Sequence, residues 1–368
     1  MIKRLLLSLL VFIGFQVQAI NVVLVNPTAK EETFWALITQ LTQEAAKDLS
    51  INLTVYYSDS HRVIQSELIT QIVTGKNKPD FLIFLPYGGS ILRSFDALEK
   101  SKTPFVTLER VFDIKRVSHI GKPQEVYKYW LGEIYNDNVK AGTLLANRLY
   151  EIALEKHIQT DALKAIALNG DYYAEAIDRA EGFYRSYIAK DDVIISKIIP
   201  LSWNRQNASD RFLKLNERYE KSDIIWSASD QMALGVLDVV EQTGLEPNKD
   251  FVIGGFDLIP EAIQAIHDGK MTASIGGHFL QGVWALIKIY DYHQGIKNVF
   301  KKGDVTAYVQ SYIVDHTNID KYIILAKEND YAKIDFAEFS LTHQKSKDAD
   351  DYQLNLENYV EKLIVSQK

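Results

Sequence analysis

An alternation that runs through the chain twice restricts the fold more than any other feature. Short apolar runs stand at Asn21–Val25, Asn52–Tyr57, Phe81–Leu85 and Phe105–Leu108, separated by segments whose apolar residues recur at helical spacing. A second set stands at Leu163–Leu168, Val193–Pro200, Asp223–Trp226 and Phe251–Gly254. The segments between them include "FWALITQLTQEAAKDL" and "MALGVLDVVEQTG", the latter stopping at Gly244 as a helix does when a glycine follows its last turn. Strands alternating with helices build parallel sheets covered on both faces, an α/β architecture. Four such units, a break from Val111 to Asn138, and four more predict two similar Rossmann-like lobes. The break holds "YKYWLGEIYNDN", read as a fifth strand and a crossing segment. After Gly276 the helix "GVWALIKIYDYHQG" returns to the first lobe, and "VTAYVQSYIVD" reads as one more strand that crosses back. Several crossings make a hinge, expected near Gly132–Asn138 and Gly276–Gly277.

Composition narrows the class. A chain of 368 residues, 47% of them hydrophobic, is long enough for about two domains with real cores. Its net charge of −7, without a long basic run, argues against nucleic acid as a partner. The N-terminus "MIKRLLLSLLVFIGFQVQA" has the layout of a secretory signal. Lys3 and Arg4 lead an apolar run from Leu5 to Phe15, and Val17-Gln18-Ala19 forms a small-x-small cleavage site. That run is too short to span a bilayer and no second one exists, so no stable membrane insertion is expected after its removal. The absence of cysteine removes disulfides, thiolate nucleophiles and cysteine-bound zinc, and for an exported chain it favours a bacterial periplasm. The expected organisation is a signal at 1–19, a first lobe at 20–135 with about 277–300, and a second at 136–276 with about 301–317. An extension at 318–368 follows, in which "SLTHQKSKDADD" reads as a polar linker and "YQLNLENYVEKLIV" as a docking helix.

In open parallel sheets, ligands bind beyond the carboxyl ends of the strands. Those ends carry Asn26, Tyr87, Glu109 and Arg110 in the first half, and Asp171, Ser202, Trp203, Ser229, Asp230 and Asp257 in the second. Carboxylates accept and arginine donates paired hydrogen bonds, while aromatic rings cover apolar C–H faces, a mixture suited to a polyhydroxylated ligand. Plainer roles compete. Ser229 is placed to cap the next helix, Arg110 to form a surface ion pair, and Arg179 to pair with Asp178 or Glu175 on its own helix. Trp226 and Trp284 fall inside a strand and a helix and read as core, and Phe34 reads as core as readily as a ligand contact. Asp257 stands apart, because Pro260 already opens the following helix and frees the acid from capping. Gly254 and Gly255 before it are expected to let the chain turn out of its strand.

The stretches "SDQMALGVLDVVEQTG" and "VIGGFDLIPEAIQAIHDGKMTASI" resemble the second lobe of type I periplasmic sugar-binding proteins, the ribose-binding class. "FLIFLPYGGSILRSFDALEKSKTPFVTLER" resembles the end of their first lobe, and "YNDNVKAGTLLANRL" the entry to their second. The resemblance covers roughly Asn21 to Asp315 and is shared with the lactose-repressor family, whose DNA-binding domain stands where this chain has its signal. It implies a ligand held between two lobes that close on it. The family's ligand positions carry over onto Trp35, Arg110, Ser229 or Asp230, and Asp257, and in looser register onto Trp203 and Asn136. The first-strand loop "NPTAKEETFW" is longer than the family's, Glu109 replaces a common aspartate, and Gly277 with His278 replaces the usual amide of the late crossing. Arg179 is similar in place to an arginine of the quorum-sensing periplasmic receptor. The function implied is a monomeric periplasmic protein that captures a sugar-like molecule for an ABC permease. The alternative is a sensory receptor whose bound form docks on a membrane kinase or cyclase. An enzyme is a third reading, with Glu109 and Asp257 as an acid pair. No GxGxxG, GxSxG or HExxH pattern accompanies that pair, so neither catalysis, cofactor nor metal is expected.

Overall fold

The computed structural model describes residues 19–111, 120–156, 158, 161–218, 221–303, 307–327 and 330–367. The signal reading, apart from Ala19, lies outside the described residues. The first lobe opens with β1 (Asn21–Asn26), α1 (Thr33–Asp48), β2 (Asn52–Tyr57) and α2 (Arg62–Thr74). It continues through β3 (Phe81–Phe84), α3 (Ile91–Ser101), β4 (Phe105–Leu108) and β5 (Trp130–Asn136). The chain then crosses into α4 (Asn138–Glu155), β6 (Leu163–Asn169), α5 (Ala174–Ile188), β7 (Val193–Pro200) and α6 (Arg205–Arg218). β8 (Ile224–Ser227), α7 (Asp230–Leu237), β9 (Val252–Asp257), α8 (Pro260–His267) and β10 (Ala273–Gly276) complete the second lobe's main run. After a return through α9 (Gln281–His293), the short strands β11 (Ala307–Val309) and β12 (Tyr312–Asp315) follow.

Two six-stranded sheets result, ordered β11-β5-β4-β3-β1-β2 and β12-β10-β9-β8-β6-β7. The same order appears in both, so the two halves repeat one topology. All pairings are parallel except β12 against β10. Central strands such as "FLIF" and "FVTL" are buried at every position, as strands covered on both faces must be. Outer β2 and β7 alternate between half-buried and exposed sides. Trp226 is fully buried in β8 and Trp284 nearly so on α9, and each such side chain contributes about 1.5–3 kcal/mol by leaving water.

Two expectations need correction. "VTAYVQSYIVD" is not one strand of the second lobe. β11 pairs with β5 in the first sheet and β12 with β10 in the second, so the chain crosses at Gln310–Ser311 and residues 307–309 belong to the first lobe. The crossing is fixed by Ser311 Oγ, which donates to Asn136 Oδ1 at 2.8 Å, tying it to the β5–α4 crossing. "SLTHQKSKDADD" is not a free linker either. Ser340 and Leu341 are fully buried, and α11 (Leu341–Gln344), after the short α10 (Ile319–Tyr322), is anchored on Asp291 of α9. Among the described residues no helix is long and apolar enough to cross a membrane.

The terminal segment spans both lobes. Ile323–Ala326 packs on α8 of the second, while Asp330–Lys333 and Phe336–Phe339 pack on α1 of the first. α12 (Leu356–Ser366) lies beside the late crossing. Leu356 approaches Gly277, and the Tyr359 ring is 6.0 Å from Phe279 and stacks on Phe336 at 6.2 Å.

Candidate ligand-binding cleft

The cleft lies where the carboxyl ends of the two sheets face each other, and its centre is Arg179. α4 and α5 approach so closely that a Cβ on Gly142 would lie 2.2 Å from the Arg179 carbonyl, and one on Gly182 2.2 Å from that of Val139. Glycine at both positions permits this, and it brings Arg179 beside Asn138 at the start of α4. Arg179 Nε donates to Asn138 Oδ1 at 2.9 Å. Its Nη1 donates to the Ala228 carbonyl at 2.7 Å and to Asp257 Oδ1 at 3.4 Å, and Nη2 lies 3.1 Å from His278 Nε2. The guanidinium plane sits 3.7 Å from the Phe256 ring centroid and 5.4 Å from that of Trp203, so cation–π attraction adds to its bonds. Arg179 therefore reaches across its lobe instead of pairing with Asp178 or Glu175.

From the first lobe Glu109 meets the same cluster, accepting from Asn138 Nδ2 at 3.1 Å. Burial, then nearby Glu175, raise its pKa to about 8, against the pull of Arg179. Burial likewise raises Glu175 to about 7. Asp257 is raised by burial while Arg179 pulls it down, and Glu32, which accepts from the backbone N–H groups of Phe34 and Trp35, is raised by burial with Asp257 nearby. His278 is held well below its usual range by burial and then by Arg179. His278 Nε2 also lies 3.3 Å from Asp257 Oδ1, so the imidazole stands between guanidinium and carboxylate, while its Nδ1 is buried without a partner. Asn169 Oδ1, at the carboxyl end of β6, is also buried and unpartnered.

Backbone strain gathers at the same edge. Glu109, Ser202, Trp203, Asp257 and Leu258 all have positive φ, 59°, 55°, 57°, 121° and 58°, conformations that cost non-glycine residues and recur at binding sites. The turn after β9 is thus made by Asp257 and Leu258 themselves, which corrects the role expected of the glycines. Gly255 instead makes room for Asp230, whose Oδ1 would lie 2.3 Å from an added Cβ, and Gly254 makes room for Leu145 and Leu149.

Four of the expected site residues have other duties. Asp230 accepts from Ser274 Oγ at 2.6 Å and from the Ile259 N–H at 3.0 Å, locking β10 and the start of α8 behind β9. Burial and then the neighbouring Asp257 push its pKa well up. Ser229 caps α7 by accepting from the Met232 N–H at 3.3 Å. Asn136 bonds Asn138 and Ser311 and joins two crossings. Trp35 packs edge-on to Phe34 at 6.1 Å, and it is Phe34 that reaches the cluster, 4.6 Å from the His278 ring. Glu109, Arg179, Trp203, Asp257 and His278 converge, with Asn138, Glu32, Glu175 and Phe34 added to them. Glu175 lies one turn before Arg179 on α5, a spacing that marks a shared face.

The rim is closed by contacts between lobes. Arg110 Nη2 donates to Asp178 Oδ2 at 2.9 Å and lies over Tyr135. Tyr87, whose hydroxyl donates to the Pro27 carbonyl, faces Tyr173 at 6.0 Å, and Gln231 Nε2 donates to Thr33 Oγ1 at 3.2 Å.

Two topologically equal lobes, three crossings and a buried polar cluster between facing strand ends define a two-lobed clamp. Residues 22–297 match the family described as periplasmic binding protein domain, and the chain belongs to that family. It is 24% identical over 179 residues to the galactofuranose-binding protein YtfQ of Escherichia coli, a match spanning 48% of this chain and 52% of that one. It is 27% identical over 248 residues to the ribose import binding protein RbsB of Salmonella typhimurium, spanning 66% and 74%. Among solved structures, a periplasmic sugar-binding protein from Pseudomonas fluorescens superposes with a TM-score of 0.80 at 24% identity, covering 94% of this chain and 99% of its own. These likenesses place the fold in the type I periplasmic binding class.

Proposed function

We propose that the chain captures a sugar or sugar-like small molecule in the periplasm and presents it, lobes closed, to an ABC importer. The observation that carries this is the convergence of carboxylates, an amide, a guanidinium and aromatic rings from both lobes on one enclosed point. Glu109 and Asp257 accept from ligand hydroxyls, Arg179 orients them, and Trp203 with Phe34 covers apolar faces. Tyr87 and Arg110 guard the rim. Relatives named for binding galactofuranose and importing ribose support a sugar as the ligand class. We read the site as a binder and not an enzyme. Its acids are held by hydrogen bonds and burial, with no nucleophile–base pair set against them among the described residues. Export by the N-terminal signal fits the location, and the expected mature chain begins at Ile20.

The test is a thermal-shift panel of pentoses, hexoses, their furanose forms and disaccharides on the chain from Ile20 onward, followed by titration calorimetry of hits. A ligand bound to the native state raises the midpoint by mass action. Small-angle scattering of wild type should show the lobes closing when that ligand is added to a ligand-free open form. A panel of sugars and polyols without any response removes the reading.

A further inference from the structure

The proposal that follows rests on the sugar-binding reading and specifies the ligand's charge. The first observation is how the donors of the cleft are spent. Arg179 is committed to Asn138, the Ala228 carbonyl, Asp257 and His278, and both its faces are approached by rings. Arg110 is committed to Asp178 at the rim. What remains is rich in acceptors. Glu109 and Glu32 come from the first lobe, Asp257 and Glu175 from the second, and each of Glu109, Glu175 and Asp257 senses Arg179 as its nearby cation. Three of these four carboxyl groups thus share one internally committed guanidinium among the described residues.

The second observation is independent of charge. The carboxamide oxygen of Asn169, a residue 7% exposed at the carboxyl end of β6, is buried without a partner. An unmet buried acceptor is costly, and a donor brought by a ligand would relieve it. Glu109 lies against Glu175 and Glu32 against Asp257 across the lobes, so Glu175 raises the pKa of Glu109 and Asp257 that of Glu32, and burial favours the protonated forms until a cation joins them. A metal ion is the poorer candidate, because among the described residues no group of three acidic or imidazole side chains is arranged to hold one.

We propose that the cleft selects a cationic hydroxylated ligand, an amino sugar whose ammonium lies among Glu109, Asp257, Glu175 and Glu32 while its hydroxyls donate to the remaining acceptors. An ammonium supplies three donors and a charge and needs no donor in return, which matches what the cleft leaves open.

The experiment compares three sets of probes on wild type by calorimetry. The first is glucosamine, galactosamine and mannosamine, the second their N-acetylated and neutral hexose counterparts, the third putrescine as an ammonium without a sugar. The expected result is that an amino sugar binds at least tenfold more tightly than its N-acetylated and neutral counterparts. Glu109→Gln should lose at least tenfold for the amine and much less for any neutral sugar. A neutral or N-acetylated sugar that binds as tightly as the amine overturns the charge assignment and leaves the sugar-binding reading standing. Putrescine binding without any sugar keeps the charge and removes the sugar. No response from any of the three sets overturns both. The wild-type comparison does not depend on how well the variant folds.

Discussion

Asp291→Asn should cost the protein about 3–5 kcal/mol of stability although it alters one atom far from the cleft. Asp291 is fully buried on α9 and holds the terminal segment to the first lobe. Its Oδ1 accepts from Ser340 Oγ at 2.6 Å, Thr342 N at 3.0 Å and Thr342 Oγ1 at 2.7 Å. Its Oδ2 accepts from Leu341 N at 2.9 Å and Tyr352 Oη at 2.9 Å. An asparagine keeps one oxygen and sets an NH2 against the donors of the other. The Tyr352 hydroxyl can rotate to accept from it, but the Leu341 N–H cannot, and a buried donor left unmet costs about 1–3 kcal/mol. The other three bonds lose their charge, and hydrogen bonds to charged groups are worth about 1.5–3 kcal/mol against roughly 1 for neutral ones. The Lys288 ammonium, 3.7 Å from the Tyr352 ring and pulled down to about 7 by burial, loses the carboxylate that favours it. These effects overlap, so their sum is cut to the stated range. Urea unfolding without ligand measures the loss. Limited proteolysis should cut the variant between Ala326 and Ser340 while the lobes resist. A loss under about 1 kcal/mol with an unchanged cleavage pattern would refute the reasoning that Asp291 anchors the segment.

Three further outcomes are expected. Asp257→Ala should weaken ligand binding by about 1.5–3 kcal/mol, ten- to hundredfold, while the ligand-free melt holds, because Arg179 keeps Asn138, Ala228 and His278; unchanged affinity in calorimetry would make Asp257 structural. Glu109 sits near 8 in the folded chain against 4.5 unfolded, so its contribution to stability is fully present below 4.5 and is lost as pH rises to about 8, by at most about 1.4 kcal/mol per pH unit. Melts of wild type and Glu109→Gln at pH 5 and pH 8.5 should show the variant losing less on the rise, and equal losses would count against it. Arg110→Ala removes a half-exposed ion pair between lobes, worth about 0.2–1 kcal/mol, so affinity should fall less than about fivefold; a hundredfold loss would return Arg110 to direct ligand contact.

The lobes were legible because period and burial carry them. Runs such as Phe105–Leu108 read as strands buried on both faces by their short length and β-branched content, and their alternation with helical segments leaves few topologies. β11 and β12 were not separable, because Ala307–Asp315 keeps an extended pattern throughout and the crossing at Gln310–Ser311 is set by pairing with strands remote in sequence. In the cleft, Asp257, Glu109, Trp203 and His278 stand out as polar or aromatic groups where strands end, whereas Arg179 lies inside α5. Ser229 and Asp230 look the same in sequence. What distinguishes them is a partner: the Met232 N–H for one, Ser274 and the Ile259 N–H for the other. A local pattern cannot show which face of a turn an acid will take when a glycine at 255 gives it space behind the sheet.

The terminal segment changes how the clamp must open. Three crossings alone would leave the lobes free to rotate about Asn136, Gly277 and Gln310. Here Ile323–Ala326 rests on α8 of one lobe, while Asp330–Lys333 and Phe336–Phe339 rest on α1 of the other, and Leu356 touches the Gly277 crossing. A segment packed on both lobes beside the hinge is strained by any rotation that moves α8 away from α1. Packed interiors yield in discrete steps and not by stretching, so opening either stays small or releases one of these contacts. The one least able to release is that on Asp291, with five donors on a buried carboxylate. Ile323–Ala326 against α8 is apolar by comparison, so that contact is expected to give way first when the lobes separate.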